Sequence, residues 1–285
     1  MKSILIIANP KAGNGKPLKI LPQVSKYLTN LGFVVESYLT QNTADYEEIS
    51  GRINREQGWY AILIIGGDGT LNDVINSIPE NCETPVMVLP SGSGNDFAKW
   101  LYKNSTTEQI LDRLVISKTT KIDIGTCNGK RFINGLGIGY DGWVAGKSAG
   151  GIKWLPASLK YHLAILRGLF TFHSFYTSLG QALIIAVANG PTYGGGFRIA
   201  PNADPGDGQF DLWQIKPIPV WKRPYYLSLI KKGEHANNPG PYHNQLVTEI
   251  NIQCHKPVPA HLDGEYFEAE RFEVRMIQMK VSFII

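Results

Sequence analysis

The first part of the chain alternates between two patterns of hydrophobic spacing. Short apolar-rich runs are each followed by a segment in which apolar residues recur every three or four positions. The runs lie at 3–8, 33–38, 61–65 and 85–89, and the periodic segments at 18–31, 44–56, 71–78 and 95–102. Short strands that alternate with helices are typical of a parallel sheet covered by helices on both faces. We therefore predict an α/β N-terminal domain over residues 1–122.

The pattern changes near residue 121, where short alternating runs replace the strand and helix pairs. These runs lie at 121–128, 131–136, 182–189, 209–215, 246–254, 266–276 and 279–284. Turn formers such as Asn128-Gly129 and Asp207-Gly208 separate several of them. The pattern predicts an all-β sandwich over residues 123–275, with a helical insertion near 152–176 and a final strand in 276–285.

Composition limits the classes of function only loosely. The chain has 285 residues, and 28 Lys and Arg against 24 Asp and Glu give a net charge of 28 − 24 = +4. This weak excess suits anionic ligands or an anionic membrane surface and does not indicate a nucleic-acid partner. The scattered Cys82, Cys127 and Cys254 indicate reduced thiols. Since no apolar stretch approaches the roughly 18 to 20 residues of a membrane span, we expect a cytoplasmic protein with, at most, peripheral membrane association.

The sequence Gly66-Gly67-Asp68-Gly69-Thr70 joins an apolar run to a helical pattern. One interpretation is an ordinary strand-to-helix turn with Asp68 as the N-cap. The other is a phosphate site, because glycines let a ligand approach the backbone and the helix directs its first amides towards it. An acid suits such a site when phosphate arrives with Mg²⁺, which is held by carboxylates and phosphate oxygens.

Two further glycine-containing loops follow predicted strands, at 9–13 and at 89–97. In a doubly wound sheet, the loops at the carboxyl ends of the strands gather on one edge, where ligands bind. Neither a complete Walker loop nor a dinucleotide-binding glycine motif is present, because Pro17 follows Lys16 in Gly13-Asn14-Gly15-Lys16. The three loops together predict a nucleotide site.

Two acidic segments in the second domain are candidates for chemistry. Leu262-Asp263-Gly264-Glu265 reads either as a hairpin turn or as a source of a carboxylate that accepts a hydroxyl proton. On an extended backbone Asp263 and Glu265 would share a face. The segment 202–209 reads as a plain loop or as a site for a hard cation.

The motifs Asn-Pro-Lys-Ala-Gly, Gly-Gly-Asp-Gly-Thr-Leu-Asn, Ser-Gly-Ser-Gly-Asn-Asp-Phe-Ala and Leu-Asp-Gly-Glu occur in this order along the chain. This order resembles the diacylglycerol kinase catalytic superfamily, and the resemblance covers nearly the whole sequence. It implies a nucleotide domain like those of phosphofructokinase and NAD kinase, followed by a β-sandwich lipid-substrate domain whose last strand returns to the first domain.

The resemblance also implies roles for individual residues. It places ATP contacts on Asn9, Pro10, Lys11, Ala12, Gly13, Thr40, Gly66, Gly67, Asp68, Gly69, Thr70, Leu71, Asn72 and Ser93. Asp123, which by itself reads as a strand acid, would join Asp68 in a magnesium and water network. One of Asp263 and Glu265 would be the general base, and which one is left open. Asp204, Asp207 and the backbone oxygen of Gln209 would hold a structural Mg²⁺.

The helical insertion 152–176 carries an apolar stripe beside basic residues. The stripe is Leu155, Leu159, Leu163, Leu166 and Phe170, with Lys153, Lys160 and Arg167 nearby. It reads either as a helix that covers the sandwich or as one that lies at an anionic membrane surface.

We therefore expect an ATP- and Mg-dependent lipid kinase that converts diacylglycerol to phosphatidic acid and acts on lipid at a membrane surface. The alternatives are a sphingoid-base, ceramide or other lipid kinase, then an NAD kinase, then a catalytically silent lipid or nucleotide sensor. A homodimer is left open.

Overall fold

The computed structural model describes residues 2–40, 45–54, 58–103, 105–149 and 157–285. The chain forms two compact units. Unit 1 comprises residues 1–124 and 278–285, and unit 2 comprises residues 125–277. Both boundaries lie two residues after the predicted ones, at 122 and 275.

Unit 1 is an α/β unit built in the alternating order that its hydrophobic pattern predicts. Its elements are β1 (Ser3–Ala8), α1 (Lys16–Asn30), β2 (Val34–Leu39), α2 (Tyr46–Ile53), β3 (Ala61–Gly66), α3 (Asp68–Ser77), β4 (Val86–Pro90), α4 (Asp96–Tyr102), α5 (Thr107–Ile116) and β5 (Thr119–Cys127), whose last residues lie in unit 2. The strands β2, β1, β3 and β4 pair in this order and all run parallel. β1 and β3 are buried almost throughout, because helices cover both faces of a parallel sheet.

Unit 2 is mainly antiparallel. Its elements are β6 (Lys130–Phe132), β7 (Gly135–Gly139), α6 (Tyr140–Ala149), α7 (Ala157–Thr171), β8 (Phe175–Thr177), β9 (Gly180–Ala182), β10 (Ile184–Ala188), β11 (Phe210–Ile215), α8 (Arg223–Lys232), β12 (Tyr242–Val247), β13 (Glu249–Leu262) and β14 (Glu265–Ile284). The strands β12, β11, β10, β7, β13 and β14 are neighbours in this order, each pair antiparallel. One continuous core of Leu, Ile, Val and aromatic side chains packs between this sheet and its helices.

The last strand differs from the prediction. The sequence pattern gave separate strands at 266–276 and 279–284, whereas β14 is one strand over Glu265–Ile284. No glycine or proline interrupts it. Its end lies in unit 1, where Phe283 pairs with Val86 of β4 in parallel, so the expected return of the last strand is seen in the pairing.

The sequence pattern predicted no helix between residues 103 and 150, but the structure has two in this region, α5 and α6. α5 begins with a capping box, in which Thr106 and Gln109 each accept from the other's backbone amide. α6 follows β7 directly. Among the helices that the structure describes, none is both long and apolar enough to cross a membrane.

Candidate functional site

Three loops meet at the carboxyl edge of the parallel sheet in unit 1, and we call residues 9–13, 66–72 and 91–97 the glycine-rich edge. The Asn9 side-chain amide donates to Thr70 Oγ1 over 3.2 Å, which joins the first loop to the second. The Ser91 amide donates to the Gly66 carbonyl over 2.7 Å, which joins the third loop to the second. The convergence predicted from the strand order is therefore present within unit 1.

Glycine is required at this edge because the loops touch through their backbones. A Cβ atom on Gly13, which has a φ of +49°, would lie 2.0 Å from the Ser91 carbonyl oxygen. A Cβ atom on Gly92 would lie 2.5 Å from the Gly67 Cα. Any side chain at either position would separate the loops, so the glycines hold several backbone amides close together.

The helix α3 begins at Asp68, with Gly67 as its N-cap. The interpretation of Asp68 as an N-cap is therefore wrong, since Asp68 lies in the first helical turn. The first intrahelical bond that follows runs from the Leu71 amide to the Gly67 carbonyl over 3.0 Å. The amides of a first helical turn have no partner within the helix and attract anions. The backbone of Asp68, Gly69 and Thr70 thus has the geometry of a phosphate site.

The Asp68 carboxylate lies at the start of a second helix. Its Oδ2 accepts from the Asp96 amide over 3.2 Å, and its Oδ1 accepts from the Phe97 amide over 3.4 Å. These amides open α4, whose N-terminal dipole favours a negative charge. The carboxylate is oriented by these backbone amides, and carboxylate oxygens are ligands that Mg²⁺ prefers.

Sequence reasoning named the loop that contains Asp96 but not Asp96 itself. This residue is 5% exposed, opens α4 and donates its amide to Asp68. The signal was an acid two positions after Gly94, in the third of the three loops.

The other predicted ATP positions differ in what they can offer. Thr40 follows β2 directly and donates its amide to the Ala8 carbonyl over 3.0 Å. The Leu71 side chain is in the core, so only its backbone can face a ligand, and Asn72 is buried as well. Ser93 is exposed. No comparison tests these contacts, and they stay predictions.

Asp123 is a buried acid within unit 1. It lies on β5, is 1% exposed, and forms an ion pair with Lys280 on the last strand. The ion pair offsets the cost of burying the carboxylate. This arrangement supports the structural interpretation of Asp123, and its place in a magnesium network stays a prediction.

Asp263 and Glu265 are separated by a tight turn. Leu262 pairs with Glu265 across a two-residue hairpin, in which Asp263 and Gly264 have φ values of +49° and +92°. The expectation that the two acids share a face on an extended backbone is therefore wrong, because the chain reverses between them. Asp263 is buried and Glu265 is exposed.

The Asp263 carboxylate is held by the backbone of one neighbouring segment. Oδ2 accepts from the Ile133 amide over 2.8 Å, and Oδ1 accepts from the Asn134 and Gly135 amides over 2.9 and 2.8 Å. A carboxylate engaged by three backbone donors is poorly placed to take a proton from a substrate. Asp263 therefore has the surroundings of a positioning residue, which fixes the hairpin that carries Glu265.

An apolar cavity of about 180 Å³ lies beside this hairpin in unit 2. Its walls are mostly Ile, Leu, Val and aromatic side chains from α6, α7, α8 and β10, and Gly264 reaches it from the hairpin. We call this the apolar cavity. Its polar side chains include Asp141, Tyr193 and His261.

These polar side chains contact one another. The Tyr193 hydroxyl donates to Asp141 Oδ2 over 2.8 Å, and the rings of Tyr193 and His261 pack edge to face at 5.0 Å between centroids. The Gly264 amide donates to His261 Nδ1 over 3.3 Å. Burial raises the pKa of Asp141 to about 6, although the Tyr193 hydrogen bond opposes this. Burial lowers the pKa of His261 to about 4.

Sequence reasoning missed Asp141 and Tyr193. The available signal was an acid in Gly139-Tyr140-Asp141-Gly142, directly after an apolar run. A cavity of apolar side chains with a few convergent polar groups is the usual form of a small-molecule or lipid site.

The predicted structural metal loop contains two turns. Asp204 Oδ1 accepts from the Gly206 amide over 3.0 Å, and Asp207 Oδ1 accepts from the Gln209 amide over 2.9 Å. Both acids are exposed. The donor set of two carboxylates and a backbone oxygen suits a hard cation, but the described residues contain no group of three or more His, Cys, Asp or Glu positioned for a metal. The site stays a prediction.

The helix α7 has apolar side chains on two faces. Ala164, Ile165 and Leu169 are buried in the core, whereas the predicted stripe of Leu159, Leu163, Leu166 and Phe170 is 46% to 64% exposed. The interpretation of that stripe as the face covering the sheet is therefore wrong. Lys153 and Leu155, also part of that prediction, lie outside the described residues.

Comparison with known proteins agrees with this architecture. Residues 3–127 match the diacylglycerol kinase catalytic domain, and residues 135–281 match the YegS C-terminal NAD kinase beta sandwich-like domain. The chain is 27% identical over 275 residues to a diacylglycerol kinase of Staphylococcus carnosus, with 93% of this chain and 89% of that relative covered.

Two solved structures show the same fold. A diacylglycerol kinase from Bacillus anthracis aligns with a TM-score of 0.74 and 20% identity over 99% of this chain and 96% of that one. An NAD kinase from Archaeoglobus fulgidus in complex with ATP aligns with a TM-score of 0.58 and 13% identity over 99% of this chain and 93% of that one.

The predicted fold class is confirmed, with an α/β N-terminal domain related to NAD kinases and a β-sandwich C-terminal domain. The two family matches together span nearly the whole sequence. The protein therefore belongs to the lipid kinases in which a diacylglycerol kinase catalytic domain is followed by a YegS C-terminal NAD kinase beta sandwich-like domain.

Proposed function

We propose that this lipid kinase transfers the terminal phosphoryl group of ATP to the free hydroxyl of diacylglycerol, which forms phosphatidic acid and ADP. The observation that carries the proposal is the Asp68 carboxylate, placed among first-turn amides of α3 and bonded to the amides that open α4. Phosphoryl transfer depends mainly on positioning and on neutralising charge. The backbone amides of this edge would position the phosphates, and Asp68 with its metal would neutralise their charge.

The glycine-rich edge would hold the ATP phosphates. The amides of Gly69 and Thr70 would donate to phosphate oxygens, and Asn9, bonded to Thr70, fixes the neighbouring loop. Asp68 would hold Mg²⁺ directly or through water. When bound, Mg²⁺ neutralises charge on the transferring phosphate.

Glu265 is the better candidate for the general base. The acceptor hydroxyl loses its proton to a carboxylate as its oxygen forms a bond to phosphorus and the bond from phosphorus to the bridging ADP oxygen breaks. Glu265 is exposed at the start of β14 and adjoins Gly264 at the wall of the apolar cavity. Asp263 is engaged by three amides.

The apolar cavity would take the lipid. Its aliphatic walls suit acyl chains, and the hydrogen-bonded Asp141 and Tyr193 offer acceptor oxygens to the free hydroxyl of the glycerol portion. A soluble dinucleotide would leave such walls in contact with polar groups, which disfavours the NAD kinase alternative.

The partner would be an anionic membrane surface. The exposed stripe of α7 offers apolar side chains, with Lys160 and Arg167 on the same helix. Large exposed aromatic side chains at Trp221 and Tyr225 add amphipathic groups of the kind found at membrane interfaces.

A substrate survey tests the proposal. Purified protein with labelled ATP and Mg²⁺ would be given diacylglycerol, a sphingoid base, ceramide and NAD in separate assays. We expect phosphatidic acid to form fastest, because the catalytic domain matches that of diacylglycerol kinases and the full-length relative is named a diacylglycerol kinase. Faster phosphorylation of a sphingoid base, of ceramide or of NAD would contradict the assignment.

A further inference from the structure

Unit 2 contains a second cavity, of about 480 Å³, on the opposite side of α6 from the apolar cavity. Helical spacing divides the residues of α6 between them. Tyr140 and Val144 face the apolar cavity, whereas Trp143 and Lys147 face the second one. The helix α6 is therefore a wall shared by both cavities.

The backbone shapes this cavity. A Cβ atom on Gly142 would lie 2.2 Å from the Ala260 Cα, so α6 presses closely on β13. The pairing of β13 with β14 shifts register between Gln253 and Val258, and Pro257 in that interval has no amide to donate. Lys256 and Pro257 line the cavity, so it lies where the pairing of the two strands is interrupted.

The recess has aromatic, aliphatic and proline walls, and most of its polar side chains are basic or carry a hydroxyl. They include Lys147, Lys256 and His173, with the hydroxyls of Thr171 and Ser174 and the rings of Trp143 and Tyr266. We call this the basic cavity. Ammonium groups and hydroxyls together match the oxygens of a phosphate group.

Two details bear on which anion would fit. The Lys147 ammonium lies 5.8 Å from the centre of the Trp143 ring, so its charge is held at an aromatic wall. Glu268 also lines the cavity and accepts a hydrogen bond from the Tyr266 hydroxyl. Its negative charge opposes anion binding, so removing that charge should strengthen the binding of an anion.

We propose that the basic cavity binds a phosphate monoester, carried by an anionic lipid headgroup, and that occupancy alters the apolar cavity through α6. The exposed apolar stripe of α7 ends at Phe170, next to the cavity residue Thr171. A headgroup bound here would therefore have an apolar surface for its chains close by. The binding part stands on the cavity alone, whereas the coupling part rests on the proposed lipid kinase function.

The binding part is tested by titration with defined probes in the presence of a non-hydrolysable ATP analogue, which occupies the glycine-rich edge. The probes are inorganic phosphate, glycerol 3-phosphate, and phosphatidylcholine vesicles with and without phosphatidic acid. We expect Lys147→Gln/Lys256→Gln to bind the phosphate-bearing probes roughly tenfold more weakly than the wild type. Glu268→Gln should bind them more tightly.

The matched control is Lys130→Gln/Lys216→Gln, which removes the same charge from two exposed lysines of unit 2 that do not line the cavity. It should bind like the wild type. Equal weakening in both double variants would show a diffuse charge effect and overturn the site. If phosphate and glycerol 3-phosphate show the same Lys147 and Lys256 dependence as the vesicles, the site recognises free phosphate esters. If only the binding of phosphatidic acid vesicles depends on Lys147 and Lys256, the lipid headgroup is the ligand.

The coupling part is tested with a short-chain, water-soluble diacylglycerol as substrate. The wild type and the control should change rate when the phosphate-bearing probe is added, and Lys147→Gln/Lys256→Gln should keep the basal rate but lose the response. A response that survives in this variant would overturn the coupling. Failure of the proposed kinase function would look different. None of the variants would then show a basal rate, but the difference in probe binding between them would remain.

Discussion

The glycine-rich edge of unit 1 and the apolar cavity of unit 2 are built in opposite ways. At the glycine-rich edge, three short loops touch through backbone atoms, and one carboxylate, Asp68, is oriented by the amides that open α4. The apolar cavity is lined by side chains from distant elements, with Asp141 and Tyr193 contributed from different parts of the chain. Short glycine-rich motifs can be recognised in the sequence, whereas single side chains that come together from distant elements cannot.

The largest expected effect tests the glycine-rich edge. Asp68→Asn should lower kcat on the order of 10⁴-fold at saturating ATP and Mg²⁺, because a neutral amide cannot neutralise charge as a carboxylate with its metal does. The fold should survive, since the asparagine oxygen can still accept from an amide that opens α4. Steady-state rates, with a thermal melt to confirm folding, measure both.

The control is Asp112→Asn, an exposed acid on α5 of the same unit whose partner is the Tyr27 hydroxyl. It should keep the wild-type rate. An Asp68→Asn enzyme within tenfold of the wild type would remove Asp68 from the transfer step.

The next prediction separates the two acids of the late hairpin. Glu265→Gln should lower kcat by about 10²- to 10³-fold if Glu265 is the proposed base, and should leave the melting temperature unchanged because the side chain is exposed. Asp263→Asn should instead destabilise the protein by about 3 kcal/mol, since three backbone amides lose a charged acceptor. Urea unfolding and single-turnover rates distinguish the two outcomes. A full loss of kcat in a stable Asp263→Asn enzyme, with normal rates for Glu265→Gln, would reverse the assignment.

The same contrast explains how much was predictable. The order of strands and helices in unit 1 followed from local periodicity, and the three loops followed from glycine spacing and from the rule that loops gather at one edge of a parallel sheet. The turn between Asp263 and Gly264 was among the alternatives, but the bonds to Ile133 and Asn134 join residues about 130 positions apart. No local pattern encodes such a contact.

The failures on α6 and α7 have a related cause. α6 carries glycines at 142 and 146, which disfavour a helix locally and are required because β13 and Tyr266 lie against them. On α7 both faces are apolar, so the sequence pattern did not show which one was buried. Tertiary packing determines that α6 is a helix and which face of α7 is buried. It also determines that β14 is one continuous strand.

The apolar cavity can be tested through the pH dependence of stability. The pKa of Asp141 rises on folding from 3.8 to about 6 because of burial, so the folded state binds more protons than the unfolded state between these values. Wild-type stability is therefore lowered by about 3 kcal/mol above pH 6, relative to pH below 3.8. Asp141→Asn should be more stable than the wild type near pH 7 by up to this amount, and the advantage should vanish near pH 4.

Denaturant unfolding across this range measures the difference, and activity gives the second readout. Tyr193 can still donate to the asparagine oxygen, so the variant should fold while it binds diacylglycerol less well, with KM raised. A stability difference that is independent of pH would mean that folding does not shift the pKa of Asp141.

The smallest expected effect concerns the exposed apolar stripe of α7 in unit 2. The glycine-rich edge consists of loops and includes no such stripe. Leu163→Gln/Phe170→Gln should weaken binding to anionic vesicles roughly tenfold to thirtyfold, because each half-exposed side chain would bury further apolar area at an interface. Lys160→Gln/Arg167→Gln should reduce the preference for anionic over neutral vesicles, and added salt should mask that change. Neither pair should alter the rate on a short-chain soluble substrate. The control is Ile116→Gln on α5, which removes an apolar side chain of unit 1 that is 78% exposed and should leave vesicle binding intact. Sedimentation with vesicles that shows no difference between Leu163→Gln/Phe170→Gln and Ile116→Gln would mean that the stripe does not meet the membrane, and equal rate losses on soluble and vesicle substrates would place its effect in the fold of unit 2.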